Sequence, residues 1–406
     1  MKILIITPHF WPENFYINYV AKMLSESEND VTVLTGKPNY PHGNIFKGYD
    51  KFSVTNEKID SIDIYRAPIF PRGQNSKTKL ILNYLSFILS TSILAPWLFR
   101  KKSFDVLFVY GVSPILSAIP AILYSFIKKA KLCLWIQDLW PESVICTGYV
   151  KNRFILFLLR QVVVFIYKSS DLILIQSRSF RSRIKKLSPK SKILYFPNSV
   201  DKIFLNKKII FQDPPFEFKK NHFNIVFAGN IGKVQSISTI IETARILKKY
   251  KNIKLLIVGN GSDKDFLARM ILKYKLDNIS YMGTYPLVKM PSIFNNASAL
   301  LISLTDHEIL KLTVPNKLQA YLVSSKPIIG SVSGEAARII NESKSGIAVK
   351  PCDANLLANA ILKLSKLKKI DLYTMGKNGR TYFQNNFDPS KLNKKLINIF
   401  NGLVKN

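Results

Sequence analysis

Apolar residues along this chain fall in short unbroken runs rather than in strict alternation. In the first half the runs are 2–7 (KILIIT), 30–35 (DVTVLT), 62–67 (IDIYRA), 105–109 (DVLFV), 131–136 (KLCLWI) and 171–176 (DLILIQ). Such Ile/Leu/Val-rich segments, with no polar residue at every second place, are the pattern of strands buried on both faces of a parallel sheet. Helical periods separate them at 17–25 and 115–128, and a longer apolar stretch occupies 80–99. From residue 223 the pattern restarts, with runs at 223–229, 254–261, 279–283, 299–304, 326–330 and 347–350 and helices at 239–250, from 265, at 316–324, at 359–366 and at 391–400. Two doubly wound α/β domains are expected, covering 1–200 and 201–385, with a hinge at the Pro-Asn turn of 196–204. Their strand C-termini would face one another across a ligand-binding cleft.

Two turns in the second half carry chemistry. The run FNIVFAGNIGK (223–233) leads a buried strand into a Gly-x-x-Gly turn at Gly229 and Gly232, where backbone N–H groups can approach an anion closely. The segment Thr313-Val-Pro-Asn-Lys317 opens a helix, with Pro315 and Asn316 at its start. Lys233 and Lys317 would add a full positive charge at each place, and together the two turns describe a diphosphate site. Gly259 and Gly261, in VGNG, would let backbone approach the same ligand, unless they only turn a strand into a helix. Asp263-Lys-Asp265 stands at a helix start and reads as capping rather than as a metal motif, so no metal is expected.

Composition sharpens this picture. The chain has 406 residues, three scattered cysteines in no CxxC pair, and a net charge of +33, extreme for an enzyme. The cysteines argue for a reducing compartment and against disulfides or a structural zinc. Met1-Lys2 runs directly into ILIIT, read as a core strand and not as the apolar region of a leader. The charge clumps: between Asp63 and Asp105 there are seven basic residues and no acid, and between Lys151 and Lys192 only Asp171 interrupts eleven basic residues. Such surfaces seek phosphate. Their neighbours are aliphatic, as in 80–99 and in FILFLLRQVVVFIY (154–167), rather than aromatics interleaved with cations. That favours an anionic membrane over nucleic acid, with 80–99 lying in the interface rather than spanning. TPHFWP stands where GxGxxG would follow the first strand, against a nicotinamide dehydrogenase.

Read in order, Phe10-Trp-Pro-Glu-Asn14, Pro38-Asn-Tyr-Pro41, Trp135-Ile-Gln-Asp-Leu-Trp-Pro-Glu-Ser143, Pro197-Asn198, Gly229-Asn-Ile-Gly-Lys-Val-Gln235, Val258-Gly-Asn-Gly261, Pro315-Asn-Lys317 and Lys326-Pro-Ile-Ile329 resemble the GT-B glycosyltransferases of family 4. The resemblance is to the branch that builds O-antigen, capsule and colanic-acid repeat units, including L-fucosamine transferases. It implies two Rossmann-like domains, with C-terminal helices (386–406) packing back toward the first. It also implies retaining, metal-independent transfer of a hexose, such as an N-acetylated or deoxy-amino sugar, from a UDP-sugar to a saccharide on undecaprenyl diphosphate. The enzyme would sit peripherally on the cytoplasmic face of the bacterial inner membrane, and UDP-sugar would be a substrate, leaving no cofactor. The chain departs from the family where two glutamates are usual, having Leu312 and Ala320. It has Asn230 and Gln235 in place of the usual Arg and Lys, and Gln137 in place of a histidine. Lys233, Lys317, Gln319 and Glu335 (after Gly334) are the substitutes available for donor contacts.

In the first half, Asp138 ends an apolar strand. It either stabilises charge on the transferred sugar or activates the acceptor hydroxyl, or else it caps a helix. Trp135 and Trp140 would stack on sugar faces, the alternative being core packing. Glu142, His9, Asn14 and Asn18 complete the acceptor-side candidates. Two rival readings remain: a UDP-sugar 2-epimerase, which four histidines supply poorly with acid/base partners, and a basic nucleic-acid-binding module.

Overall fold

The computed structural model describes residues 1–74, 76–147 (of residue 147 the backbone only), 150 and 152–405. They form two compact units, Met1–Pro197 with Ser390–Asn406, and Asn198–Pro389. The boundary thus falls within the Pro-Asn turn expected as a hinge, and the last helix, Pro389–Lys405, belongs almost wholly to the first unit.

The first unit is built on eight strands: β1 (Lys2–Ile6), β2 (Asp30–Gly36), β3 (Thr55–Ile59), β4 (Ile62–Ala67), β5 (Val106–Gly111), β6 (Lys131–Ile136), β7 (Leu172–Ile175) and β8 (Ile193–Tyr195), in the order β3-β4-β2-β1-β5-β6-β7-β8. Every pairing is parallel except β3 with β4. The second unit has six parallel strands: β9 (Phe223–Ala228), β10 (Ile253–Val258), β11 (Ile279–Gly283), β12 (Ala299–Ser303), β13 (Ile328–Ser331) and β14 (Gly346–Val349), in the order β11-β10-β9-β12-β13-β14. In each sheet the order reverses direction beside the first strand, which opens a crevice at the strand C-termini. β3 and β8 escape the hydrophobic pattern for physical reasons. β3 (TNEKI) is a half-exposed antiparallel edge with little to bury, and β8 is three residues long with an exposed centre.

Burial explains the rest. Strands β1, β5 and β6 are almost fully enclosed, and one face of their sheet collects Ile3, Ile5, Val106, Phe108, Cys133 and Trp135. Onto this face the returning C-terminal helix delivers Leu392, Leu396 and Phe400, spaced to share one helix face. Phe400 has no exposed surface, and its ring meets that of Phe108 at 5.2 Å, nearly edge-on. The second sheet has a closed apolar layer on each face. If the returning helix is structural cement for the first unit, Phe400→Ala should cost about 3–5 kcal/mol. A denaturant titration in which the midpoint moves by less than a third of that would show the helix to be loosely attached.

Candidate functional site

The sharpest local geometry in the second unit lies where β9 and β10 end side by side. Gly229 and Gly259, each one residue past its strand, adopt φ of +137° and +139°. Their backbones nearly touch: a Cβ on Gly259 would stand 1.8 Å from the Gly229 carbonyl oxygen, and one on Gly261 2.2 Å from that of Ile231. Only glycine permits this approach. Pairing continues past the strands, the Gly229 N–H donating to the Val258 carbonyl (3.0 Å) and the Ile231 N–H to that of Asn260 (2.8 Å).

Lys317, first residue of the helix Lys317–Val323, reaches back to this turn. Its Nζ stands 3.1 Å from where a Gly229 Cβ would be, donates to Gln235 Oε1 at 2.7 Å, and lies 4.0 Å from the centre of the Phe227 ring. Among the described residues no carboxylate pairs with it. Part of the residue still meets solvent, yet desolvation pulls its pKa from 10.5 down to about 7. The ring face offsets a little of the lost hydration. A lysine kept dry beside an open glycine turn, with only an amide oxygen for company, is poised to receive an anion.

The other donor-side candidates divide. Asn230 is exposed, and its side chain fills the space next to Gly232 and Gly261, 2.7 and 2.6 Å from where their Cβ atoms would be. Lys233 is exposed on the short turn Lys233–Gln235 that leads into the helix Ile237–Leu247. Pro315 precedes Asn316, whose side chain accepts from Asn198 (2.9 Å). Gln319 corrects an expectation: it is fully buried, and with its amide nitrogen turned inward it donates to the Asn316 and Pro315 carbonyls (3.0 and 3.2 Å). It fastens the loop instead of facing a ligand. Gly334 (φ +63°) and Glu335 open the helix Gly334–Glu342 past β13, two strands from β9, and the Glu335 carboxylate is held by Arg338 at 2.8 Å. Asp263 is the residue before the helix Lys264–Lys273, yet its carboxylate takes the Ser262 hydroxyl and caps no N–H.

In the first unit, candidates cluster past the C-termini of β1, β5 and β6, which are neighbours in the sheet. Asp138 follows β6, and its carboxylate accepts from the Ser113 N–H at 3.2 Å, on the loop after β5. Its partner is therefore an amide of an adjacent loop, not an N–H of the helix Glu142–Thr147. Burial pushes its carboxyl above the usual range, although the residue keeps some surface. Trp140 is nearly buried and donates from its indole to Ser113 Oγ (3.0 Å), bracing the same loop. Trp135 is a second correction. It has no exposed surface, donates to the Phe196 carbonyl (2.9 Å) and is ringed by Tyr16, Phe108, Tyr110 and Phe196, so it is core and offers no face to a sugar.

The residue the sequence reading passed over is Glu13. It is buried, its Oε1 accepts from the Asn39 and Tyr40 N–H groups (2.8 and 2.6 Å), and its Oε2 meets His9 Nδ1 at 3.0 Å. His9 in turn stacks on Phe15, ring centres 4.7 Å apart. One carboxylate thus ties the Phe10–Asn14 and Pro38–Pro41 motifs together. The signal was present, since both motifs were singled out, but nothing in their spacing says they meet. Asn18 donates to the Glu13 carbonyl (2.7 Å) and Asn14 is exposed. Glu142 is half-buried beside a cavity described below.

Known proteins place these features in context. Residues 208–382 match the family model described as glycosyl transferases group 1. The chain is 26% identical to the probable glycosyltransferase WbjE of Pseudomonas aeruginosa, over 78% of this chain and 79% of that protein. It is 23% identical to the putative colanic acid biosynthesis glycosyl transferase WcaI of Escherichia coli K12, over 99% and 100%. Its fold superposes on that of Anabaena Alr3699/HepE, solved in complex with UDP, with TM-score 0.67 at 12% identity, covering 99% of this chain and 100% of that one. With two parallel Rossmann-like units the chain has the GT-B fold, and its match to the glycosyl transferases group 1 model lies within the second of them.

Proposed function

We propose that the chain transfers a hexose, of the N-acetylated or deoxy-amino kind, from a UDP-sugar to a saccharide carried on undecaprenyl diphosphate, with retention and without a metal, in the assembly of a surface polysaccharide. The observation that carries this reading is the partly desolvated Lys317 beside the glycine turn, with no carboxylate partner among the described residues. Departure of a nucleoside diphosphate leaves negative charge that a fixed cation stabilises, and Lys317, charged once an anion has recruited its proton, supplies it from a position already set by the helix. Lys233, at the exposed end of the same turn, adds a second charge. Asp138 is the group that meets positive charge developing on the sugar. Support for the donor comes from the UDP complex of the Anabaena relative in fold, and for the pathway from the colanic acid name of the Escherichia coli relative.

The membrane assignment draws on an inverted helix. Lys77–Leu98 is the one helix among the described residues long and apolar enough to cross a bilayer. It buries Asn83, Phe87, Thr91 and Ala95, one row at i, i+4, and exposes Ile81, Leu85, Leu89, Ile93 (72% exposed) and Trp97, another such row. A helix in a water-facing position would bury the larger row. Helix Ile119–Lys128 packs beside it and adds exposed Leu123, Phe126 and Ile127. Because Lys77–Leu98 joins β4 to β5 within one sheet, crossing a bilayer would unstitch the core, and lying in the interface would not.

Four outcomes follow from this reading. Lys317→Ala in the full chain should weaken UDP by about 1.5–3 kcal/mol by calorimetry. With its free pKa near 7, Lys317 is mostly neutral at pH 8.5, and an anion recruits the charged form. UDP binding at that pH should then take up close to one proton and weaken about tenfold per further pH unit, whereas below pH 7 uptake vanishes. Titration in buffers of different ionisation heat reads the proton directly, and equal uptake in Lys317→Met would remove the lysine from the site. Asp138→Asn keeps shape and drops charge, so kcat should fall by about a hundredfold, roughly 3 kcal/mol, with melting temperature and UDP affinity nearly unchanged. A near-wild-type rate would assign Asp138 a positioning role only. Finally, alkaline carbonate or high salt should release the protein from membranes, since each basic residue near an anionic surface contributes about 1 kcal/mol that salt screens. Extraction by detergent alone would show deep insertion.

A further inference from the structure

Three residues past Asp138 the chain enters the wall of a cavity of about 440 Å³. One wall is a single face of the helix Arg153–Ser169, presenting Arg153, Leu156, Phe157 and Arg160 at i, i+3, i+4, i+7. The opposite wall is a face of the helix Phe180–Leu187, presenting Arg183, Lys186 and Leu187 at i, i+3, i+4. Pro141, Glu142 and Ile145 close the end. Four cations and one carboxylate therefore line the same cavity, Arg153, Arg160 and Lys186 being exposed and Arg183 half-buried, and among the described residues none of the four has an acidic partner. Apolar side chains alternate with these cations, and the outer face of the same helix exposes Phe154 (68%), Ile155, Leu158 and Phe165.

Like charges crowded without partners are retained where an anion of two or three negative charges neutralises them. The apolar lining and the apolar outer face add that this anion carries a hydrocarbon part. We infer that the cavity between the helices Arg153–Ser169 and Phe180–Leu187 binds the diphosphate head of an isoprenoid lipid drawn from the bilayer. The inference rests on the reading that the enzyme works at a membrane, and it assigns the acceptor's anchor its own site, apart from the nucleotide site of the second unit. Guanidinium forks at Arg153, Arg160 and Arg183 suit phosphate oxygens bidentately, and Lys186 adds a mobile charge.

The test measures binding of the full chain to phosphatidylcholine vesicles doped with geranylgeranyl diphosphate, against vesicles carrying equal charge as phosphatidylglycerol. The wild type should prefer the diphosphate vesicles by at least about tenfold, the equivalent of one charge-assisted hydrogen bond. Arg160→Gln with Arg183→Gln should bring that ratio to about one, while Lys79→Gln with Lys101→Gln, equal in charge but outside the cavity, should weaken both vesicle types together and keep the ratio. A wild-type ratio near one, or a ratio retained without Arg160 and Arg183, overturns the inference. So does inorganic pyrophosphate competing as tightly as the lipid, which would make the ligand a soluble anion. UDP affinity measured on the same samples should be identical in all variants. Absence of UDP binding in the wild type would sink the donor reading separately, without touching the vesicle ratio.

Discussion

An ammonium group deprived of water is costly, and the second unit is arranged around one. Lys317 is held by a seven-residue helix whose buried face anchors it to β9 through Tyr321, the hydroxyl of which accepts from the Ala228 N–H at 3.0 Å. From that fixed base the side chain runs toward Gly229, and a residue larger than glycine there would stand in its way. Phe227, Gln235 and the paired strand ends complete the wall. The positive φ values at the two strand ends, the close backbone approach and the partner-poor lysine are thus three aspects of one arrangement, in which backbone dipoles and a single basic side chain converge on one turn.

The first unit uses the opposite device, a buried carboxylate. Glu13 spends both oxygens inside the protein, on two backbone amides and an imidazole, and so fixes two loops that follow separate strands. Nearby, Arg66 is fully buried, paired with Glu57 and donating to the Trp11 carbonyl, which secures the same motif from beneath. Asp138 differs in having a single amide partner and a raised pKa. A carboxylate fully satisfied by its surroundings is structural in effect. One that is desolvated and under-satisfied keeps free energy in reserve for a ligand's charge.

Much of this was legible in the sequence because parallel strands announce themselves by continuous burial, and because glycine and proline mark turns that no other residue tolerates. The twelve apolar runs correspond to twelve of the fourteen strands, and the two that escaped have too little core to write a signature. Lys317 was legible through the Pro-Asn-Lys turn. What could not be read was mutual position. Trp135 sits in a motif beside Asp138, but strand alternation turns it into the core, and Gln319 lies two residues after Lys317 on the inward side of a short helix. Glu13 was hidden for the same reason in reverse, since the two backbone amides it holds are twenty-six and twenty-seven residues away in sequence. Spacing reports which residues share a face; it does not report which faces meet.

The helix Lys77–Leu98 separates two tasks along one cylinder. Its packing row is made of Asn83, Phe87, Thr91 and Ala95, and its outward row of Ile81, Leu85, Leu89, Ile93 and Trp97, with no residue shared between them. Selection on one row therefore leaves the other free to drift. The outward row can change in size and polarity while the sheet beneath keeps its shape. The same independence lets the outward row be made polar without touching the residues that pack on the sheet.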